Sequence, residues 1–83
     1  MLSTLMITKQ QSKAARALLE LNQSDVAKLA NISISTMRDF ETGKRTPHER
    51  NLTAIKDTLE GAGVIFIEEN GGGAGVRLAK PKS

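Results

Sequence analysis

The chain has 83 residues with no cysteine and one histidine, so disulfides are excluded and a four-ligand zinc site is not expected. A chain this short is expected to form one domain that buries only ~60% of its unfolded surface, which favours stabilisation by a second copy. The 12 basic and 9 acidic residues give a net charge of +3, and the whole excess lies in residues 1–50, which favours a polyanionic partner for the first half.

Two helix starts are marked early in the chain. Thr8 and Gln11 fit a capping box, in which each residue satisfies a free amide of the other. An apolar stripe at helical spacing follows, formed by Ala14, Ala15, Leu18 and Leu19. Asn22 is suited to cap a second, short helix from Gln23, with Asp25 close to the positive end of its dipole.

Two more helices follow. Ser33 is expected to cap a helix that runs to Thr42 and ends at Gly43, since glycine accepts the left-handed conformation. Thr46 and Glu49 fit a capping box with Pro47 at the first helical position, which predicts a fourth helix ended by Gly61 and Gly63. Its buried face is formed by Leu52, Ile55 and Leu59.

A β-hairpin is predicted after the helices. Residues 64–67 are β-branched and aromatic, residues 71–75 are glycine-rich, and residues 76–78 are suited to a returning strand. The first strand is apolar on both faces, so we expect a partner subunit to cover one of them. The predicted dimerisation residues are Val64, Ile65, Phe66 and Ile67.

These signals predict a mainly α fold, a compact four-helix domain followed by a short C-terminal β-hairpin. The expected boundaries are a flexible or packing N-terminal arm at 1–7, the helical domain at 8–62, the hairpin at 63–79 and a disordered tail at 80–83.

The spacing of small and apolar residues from Gln23 onward is that of a helix-turn-helix. Counting Gln23 as one, the small Ala27 is fifth and permits a close helix crossing. Asn31 is ninth, in a tight turn that favours positive φ. Met37 and Phe40, fifteenth and eighteenth, are one turn apart and hold the second helix against the first.

The segment LNQSDVAKLANISISTMRDFETGKRTP resembles the Cro/C1-type, or XRE, helix-turn-helix family of bacterial and phage regulators. The resemblance covers about residues 6–60. Asn31 stands where the family usually has glycine, and Ile34 where it often has a polar or basic residue. The resemblance implies a Cro/C1-like domain that binds double-stranded DNA without a cofactor.

The second helix of the motif has a polar side opposite its buried residues. With Met37 and Phe40 inward, Thr42 and most of the candidate DNA contacts lie on the far side of a helical wheel. The docking mode of the family implies that this helix enters the major groove. Arg38 is suited to guanine and Ile34 to a thymine methyl, whereas Asp39 is suited either to cytosine or to orienting a neighbouring cation. The expected base-reading residues are Ile34, Ser35, Arg38 and Asp39.

Phosphate contacts are implied at both ends of the motif. The expected residues are Arg16, Gln23, Thr42, Lys44 and Arg45. Arg16 has a second interpretation as the partner of Glu41 in a structural ion pair, and the two roles are compatible. Solvated charges are expected at Lys9, Lys13 and Lys28.

The leading hypothesis is a sequence-specific DNA-binding regulator, a repressor that binds an inverted repeat as a homodimer. The alternative is an antitoxin of a toxin–antitoxin pair, and a third is an interaction module that has lost DNA binding. A protein partner (toxin, antirepressor or polymerase) is compatible with each. An enzyme is not expected, because the chain has no cysteine and one isolated histidine, His48, so the familiar nucleophile–base pairs cannot be assembled. No secretory signal or membrane segment is recognised, so a cytoplasmic location is expected by default.

Overall fold

The structure, a computed structural model, describes residues 6–80, which form four helices and one antiparallel two-stranded sheet. The predicted mainly α fold with a C-terminal hairpin is therefore confirmed. The arm and the tail predicted at the ends fall mostly on residues 1–5 and 81–83, outside the described residues. In chain order the elements are α1 (Lys9–Leu19), α2 (Gln23–Ala30), α3 (Ile34–Thr42), α4 (Glu49–Ala62), β1 (Val64–Ile67) and β2 (Gly75–Leu78).

The first three helices begin where their capping residues predict. The hydroxyl of Thr8 accepts from the amide of Gln11 at 3.0 Å, and the side chain of Gln11 accepts from the amide of Thr8 at 2.9 Å. Asn22 and Asp25 form the same reciprocal box at the start of α2. Ser33 accepts from an amide in the first turn of α3 at 3.0 Å. Local hydrogen bonding therefore sets these three starts.

The ends of the first three helices are left-handed. Asn31 closes α2 at φ 59° and Gly43 closes α3 at φ 81°, as the sequence predicts. The same conformation at Glu20, which closes α1 at φ 59°, carries no sequence signal, since glutamate rarely adopts it.

The predicted start of α4 is wrong. His48, not Thr46, is the capping residue, and its Nδ1 accepts from the amide of Arg50 at 3.2 Å. The carbonyl of His48 accepts the first helical hydrogen bonds, so Pro47 precedes the helix. The physical reason is hydrogen bonding: the imidazole of His48 satisfies a free amide of the first turn, whereas the hydroxyl of Thr46 accepts from no amide within residues 6–80.

One aliphatic core joins all four helices to the hairpin. Ala15, Met37, Ile55 and Leu59 have no exposed surface, and one residue of β1, Val64, is only 2% exposed. The remaining core residues are Ile7, Val26, Ala27, Phe40 and Leu52. Because α1, α2 and α4 all pack on this core, α3 is held on a rigid base.

The hairpin lies with one face on the helices. Val64 pairs with Leu78 and Phe66 with Val76, and these four side chains pack against the core. The alternate residues, Ile65, Ile67 and Arg77, form the outer hairpin face, and both isoleucines are 39% exposed. The helices therefore account for the apolar residues on the inner face of β1, but no element within residues 6–80 covers those on its outer face.

A buried glutamine attaches the hairpin to α1. Gln11 is 6% exposed, and its Nε2 donates to the carbonyls of Gly75 at 2.8 Å and Ile67 at 3.3 Å. The same side chain accepts from the amide of Thr8. Gln11 therefore caps α1 and binds both strands.

Candidate nucleic-acid interface

The α2–turn–α3 unit has a close crossing and a tight turn. Ala27, 4% exposed, lies at the crossing, and its carbonyl accepts from the amide of Ile32 across the turn at 2.9 Å. Met37 and Phe40 bury the inner side of α3. The unit therefore presents the opposite side of α3 to solvent.

A buried carboxylate fixes the last turn of α3 to α1 and α2. Glu41 is 2% exposed, and Nη2 of Arg16 lies 2.7 Å from its Oε1. The hydroxyl of Ser12 donates to its Oε2 at 2.5 Å, and Nε2 of Gln23 donates to its Oε1 at 3.0 Å. We name these four residues the Glu41 cluster. Three helices meet at this cluster, so it sets the position of α3 relative to the scaffold.

The charge of Glu41 is maintained despite its burial. Burial alone would raise the pKa of this carboxyl. Hydrogen bonds from Arg16, Ser12 and Gln23, together with the charge of Arg16, outweigh burial and hold the pKa below its ordinary value of 4.5. Glu41 is therefore a carboxylate at neutral pH.

The exposed side of α3 carries the residues predicted to read bases. Ser35 and Arg38 are exposed, and Arg38 forms no ion pair with any residue of the described range 6–80. Asp39 is half-buried, and its carbonyl accepts from the amides of Lys44 and Arg45. The base-reading roles of these side chains stay predictions, but the structure brings them to one surface.

Ile34 differs from the other three predicted base-reading residues. It is half-buried and packs against the core at the first turn of α3. Only part of its side chain is therefore free to meet a thymine methyl.

The predicted phosphate contacts fall into two groups. Thr42, Lys44 and Arg45 are exposed at the C-terminal end of α3. The side chains of Arg16 and Gln23 are instead occupied by Glu41, and that of Arg16 is 20% exposed. The backbone amide of Gln23, in the first turn of α2, has no acceptor within its own helix, so it is a donor suited to phosphate.

A groove of about 380 Å³ runs along α3 and contains residues that sequence reasoning missed. Ser35 and Asp39 border it from α3, and Arg45 borders it from the following loop. The residues not predicted are Thr36, Thr46, Pro47, His48 and Asn51. Thr46, Pro47 and His48 carry only the sequence signal of a helix start, which does not indicate that they lie beside α3.

Ser12 was also missed. A serine just before the apolar stripe of α1 and four residues before Arg16 is the available signal, because residues four apart share a helix face. Its partner Glu41 is 29 residues away in the chain, so only the fold brings the two together.

Comparison with known families agrees with this geometry. A family model described as helix-turn-helix matches residues 13–60, more than half of the chain. The chain belongs to the XRE, or Cro/C1-type, helix-turn-helix family. Members of this family are DNA-binding transcriptional regulators, so the helix-turn-helix here is α2–turn–α3 with α3 as its second helix. No curated protein matches the chain.

The match runs from the second turn of α1 almost to the end of α4, and the hairpin lies outside it. The Glu41 cluster also reaches one residue beyond the match, because Ser12 precedes position 13. Within residues 6–80, no helix is both long and apolar enough to cross a membrane.

Proposed function

We propose that this helix-turn-helix protein is a sequence-specific transcriptional repressor that binds an inverted-repeat operator as a homodimer, with α3 in the major groove. The observation that carries the proposal is the contrast between two arginines. Arg16 is committed to the buried Glu41, whereas Arg38 projects from the exposed side of α3 without a carboxylate partner in residues 6–80. A free guanidinium on that helix is suited to the O6 and N7 acceptors of guanine.

Charge and hydrogen bonding around α3 support the same mode of binding. Lys44 and Arg45 are exposed at one end of α3, and the free amides of the first turn of α2 lie at the other side of the motif. Such donors fix the register of a protein on the DNA backbone but do not read sequence. Base preference is therefore assigned to Ser35, Arg38 and Asp39.

The homodimer is proposed through the outer hairpin face. Ile65 and Ile67 are each 39% exposed, and a two-stranded sheet is marginally stable without cover. Pairing of two such faces would remove both isoleucines from water. An antitoxin would use the same face to bind a toxin. The molar mass of the protein without any partner distinguishes the two, because a homodimer has twice the mass of a monomer. Ile67→Lys is expected to give a monomer in sedimentation, whereas a wild-type protein that is itself monomeric would favour a different partner.

Selection from a random-sequence duplex library tests the function. A homodimer predicts enriched sequences with two-fold symmetry and half-site centres ~34 Å apart, one helical turn. Affinity for the enriched duplex is expected to exceed that for a scrambled duplex at least ~10³-fold. Repression is then tested with a reporter whose promoter overlaps the selected site. Equal affinity for both duplexes would contradict sequence-specific binding.

Arg38→Ala and Arg38→Lys together test the base contact. Arg38→Ala is expected to weaken binding to the selected duplex by ~1–3 kcal/mol per half-site and to relax preference at one base pair of each half-site. Arg38→Lys retains the charge but loses the bidentate geometry, so it is expected to keep non-specific binding while losing part of the preference. Equal losses on selected and scrambled duplexes would place Arg38 against phosphate instead.

A further inference from the structure

Lys9 lies against the C-terminal end of α3, although it is the first residue of α1. A Cβ built on Gly43 would be 2.6 Å from the Nζ of Lys9 and 3.6 Å from its Cδ and Cε. The lysine side chain therefore crosses the open α-carbon of Gly43, and Lys9 is half-buried, whereas Lys13 and Lys28 are exposed. The solvated charge predicted at Lys9 stays a prediction, and the structure adds that its stem packs beside Gly43.

The C-terminal end of α3 favours a cation such as the Lys9 ammonium, but the N–H donors of that ammonium stay without a protein acceptor within residues 6–80. The C-terminal end of a helix carries partial negative charge, and α3 has no basic residue of its own in its last turn. The ion pairs of residues 6–80 are Arg16–Glu41 and Lys56–Glu60, so Lys9 has no carboxylate partner there. Its ammonium group also donates to no acceptor within that range. The stem is held in place while the three donors remain available.

The surroundings of Lys9 are those of a phosphate contact. Thr42, Lys44 and Arg45 are exposed on either side of Gly43, so cations from two elements gather at one end of α3. A lysine is a point charge without the planar fork that reads guanine, which suits it to backbone phosphate rather than to a base.

We propose that Lys9 binds a DNA backbone phosphate and thereby extends the interface to a residue that precedes the family match at 13–60. This inference rests on the proposed DNA-binding function. Gly43 then has two roles. It supplies the left-handed φ of 81° that ends α3, and its lack of a Cβ leaves the space that the Lys9 side chain crosses.

The test compares Lys9→Gln with Lys28→Gln, which removes the same charge from an exposed lysine on α2. Anisotropy is measured with the selected and the scrambled duplex at about 50 and 200 mM salt. One phosphate contact is lost from each subunit of the homodimer, so the slope of log K against log salt falls by ~1.8, which corresponds to ~200-fold weaker binding at the lower salt concentration and ~20-fold at the higher. Lys9→Gln is expected to show these losses on both duplexes, Lys9→Arg to restore binding, and Lys28→Gln to retain the wild-type slope.

Two results would overturn the inference while the proposed function stands. One is a wild-type salt slope in Lys9→Gln. The other is a loss that is equal at both salt concentrations and accompanied by a lower melting temperature, which would assign Lys9 to stabilising the end of α3. A wild-type protein that binds neither duplex would instead overturn the proposed function, and this inference with it.

Discussion

Glu41→Gln removes one charge from the cluster that fixes α3 to α1 and α2, with little change in side-chain shape. The carboxylate accepts from Ser12, Arg16 and Gln23, and the contact to Arg16 is 2.7 Å. Ser12 can rotate to accept from the new amide, but Arg16 then faces an NH₂ group on one side and loses its charged partner. Hydrogen bonds to charged groups contribute ~1.5–3 kcal/mol each.

The expected loss in free energy of unfolding is smaller than that for breaking a fully buried ion pair. Breaking a buried pair costs ~3–5 kcal/mol, but the side chain of Arg16 is 20% exposed and retains some hydration. We therefore expect Glu41→Gln to lower the free energy of unfolding by ~2–3 kcal/mol. For a domain of this size the melting temperature would fall by about 10–20 °C.

Urea unfolding followed by far-UV circular dichroism measures this loss, because the chain has no Trp or Tyr to report by fluorescence. Glu60→Gln is the matched control, since Glu60 pairs with Lys56 on the surface of α4 and its side chain is 40% exposed. That substitution is expected to change stability by less than ~0.5 kcal/mol. Equal, small effects of both substitutions would refute the assignment of the Glu41 cluster as the anchor of α3.

Three further outcomes are expected. Because folding lowers the pKa of Glu41, the stability that its carboxylate contributes is present above the unfolded pKa near 4.5 and is lost as pH falls through the folded pKa. Urea unfolding at pH 6, 4.5 and 3 should therefore show a difference in free energy of unfolding between wild type and Glu41→Gln that shrinks as pH falls. Gln11→Ala removes the side chain that joins α1 to both strands and should lower the free energy of unfolding by ~1–3 kcal/mol. Amide hydrogen exchange should then become faster in residues 64–78 than in residues 23–42, and a uniform increase across both ranges would contradict this role. At the left-handed Asn31, Asn31→Ala should be about 1 kcal/mol less stable than Asn31→Gly in thermal unfolding, and equal stabilities would contradict the role of the turn.

Local signals in the sequence predict most of the helical fold. Thr8, Asn22 and Ser33 each meet partners within three residues, and the left-handed turn at Asn31 is marked by its place in the helix-turn-helix spacing. Such interactions depend on a few neighbouring residues, so a pattern is sufficient to find them.

Contacts between distant residues account for what the sequence does not reveal. Gln11 meets carbonyls 56 and 64 residues away, and no periodicity marks a polar side chain with that role. Ser12 and Lys9 meet α3 through the tertiary fold alone. At the start of α4 the sequence pattern indicates a cap at Thr46, but the imidazole of His48 accepts the amide hydrogen bond instead.

An amide chemical-shift titration with the selected duplex shows whether α3 is the helix that contacts DNA. At stoichiometric DNA, we expect the largest changes in residues 34–45 and at the amides of 23 and 24, with small changes across the outer hairpin face. Changes concentrated in residues 64–78, with α3 unaffected, would contradict this expectation.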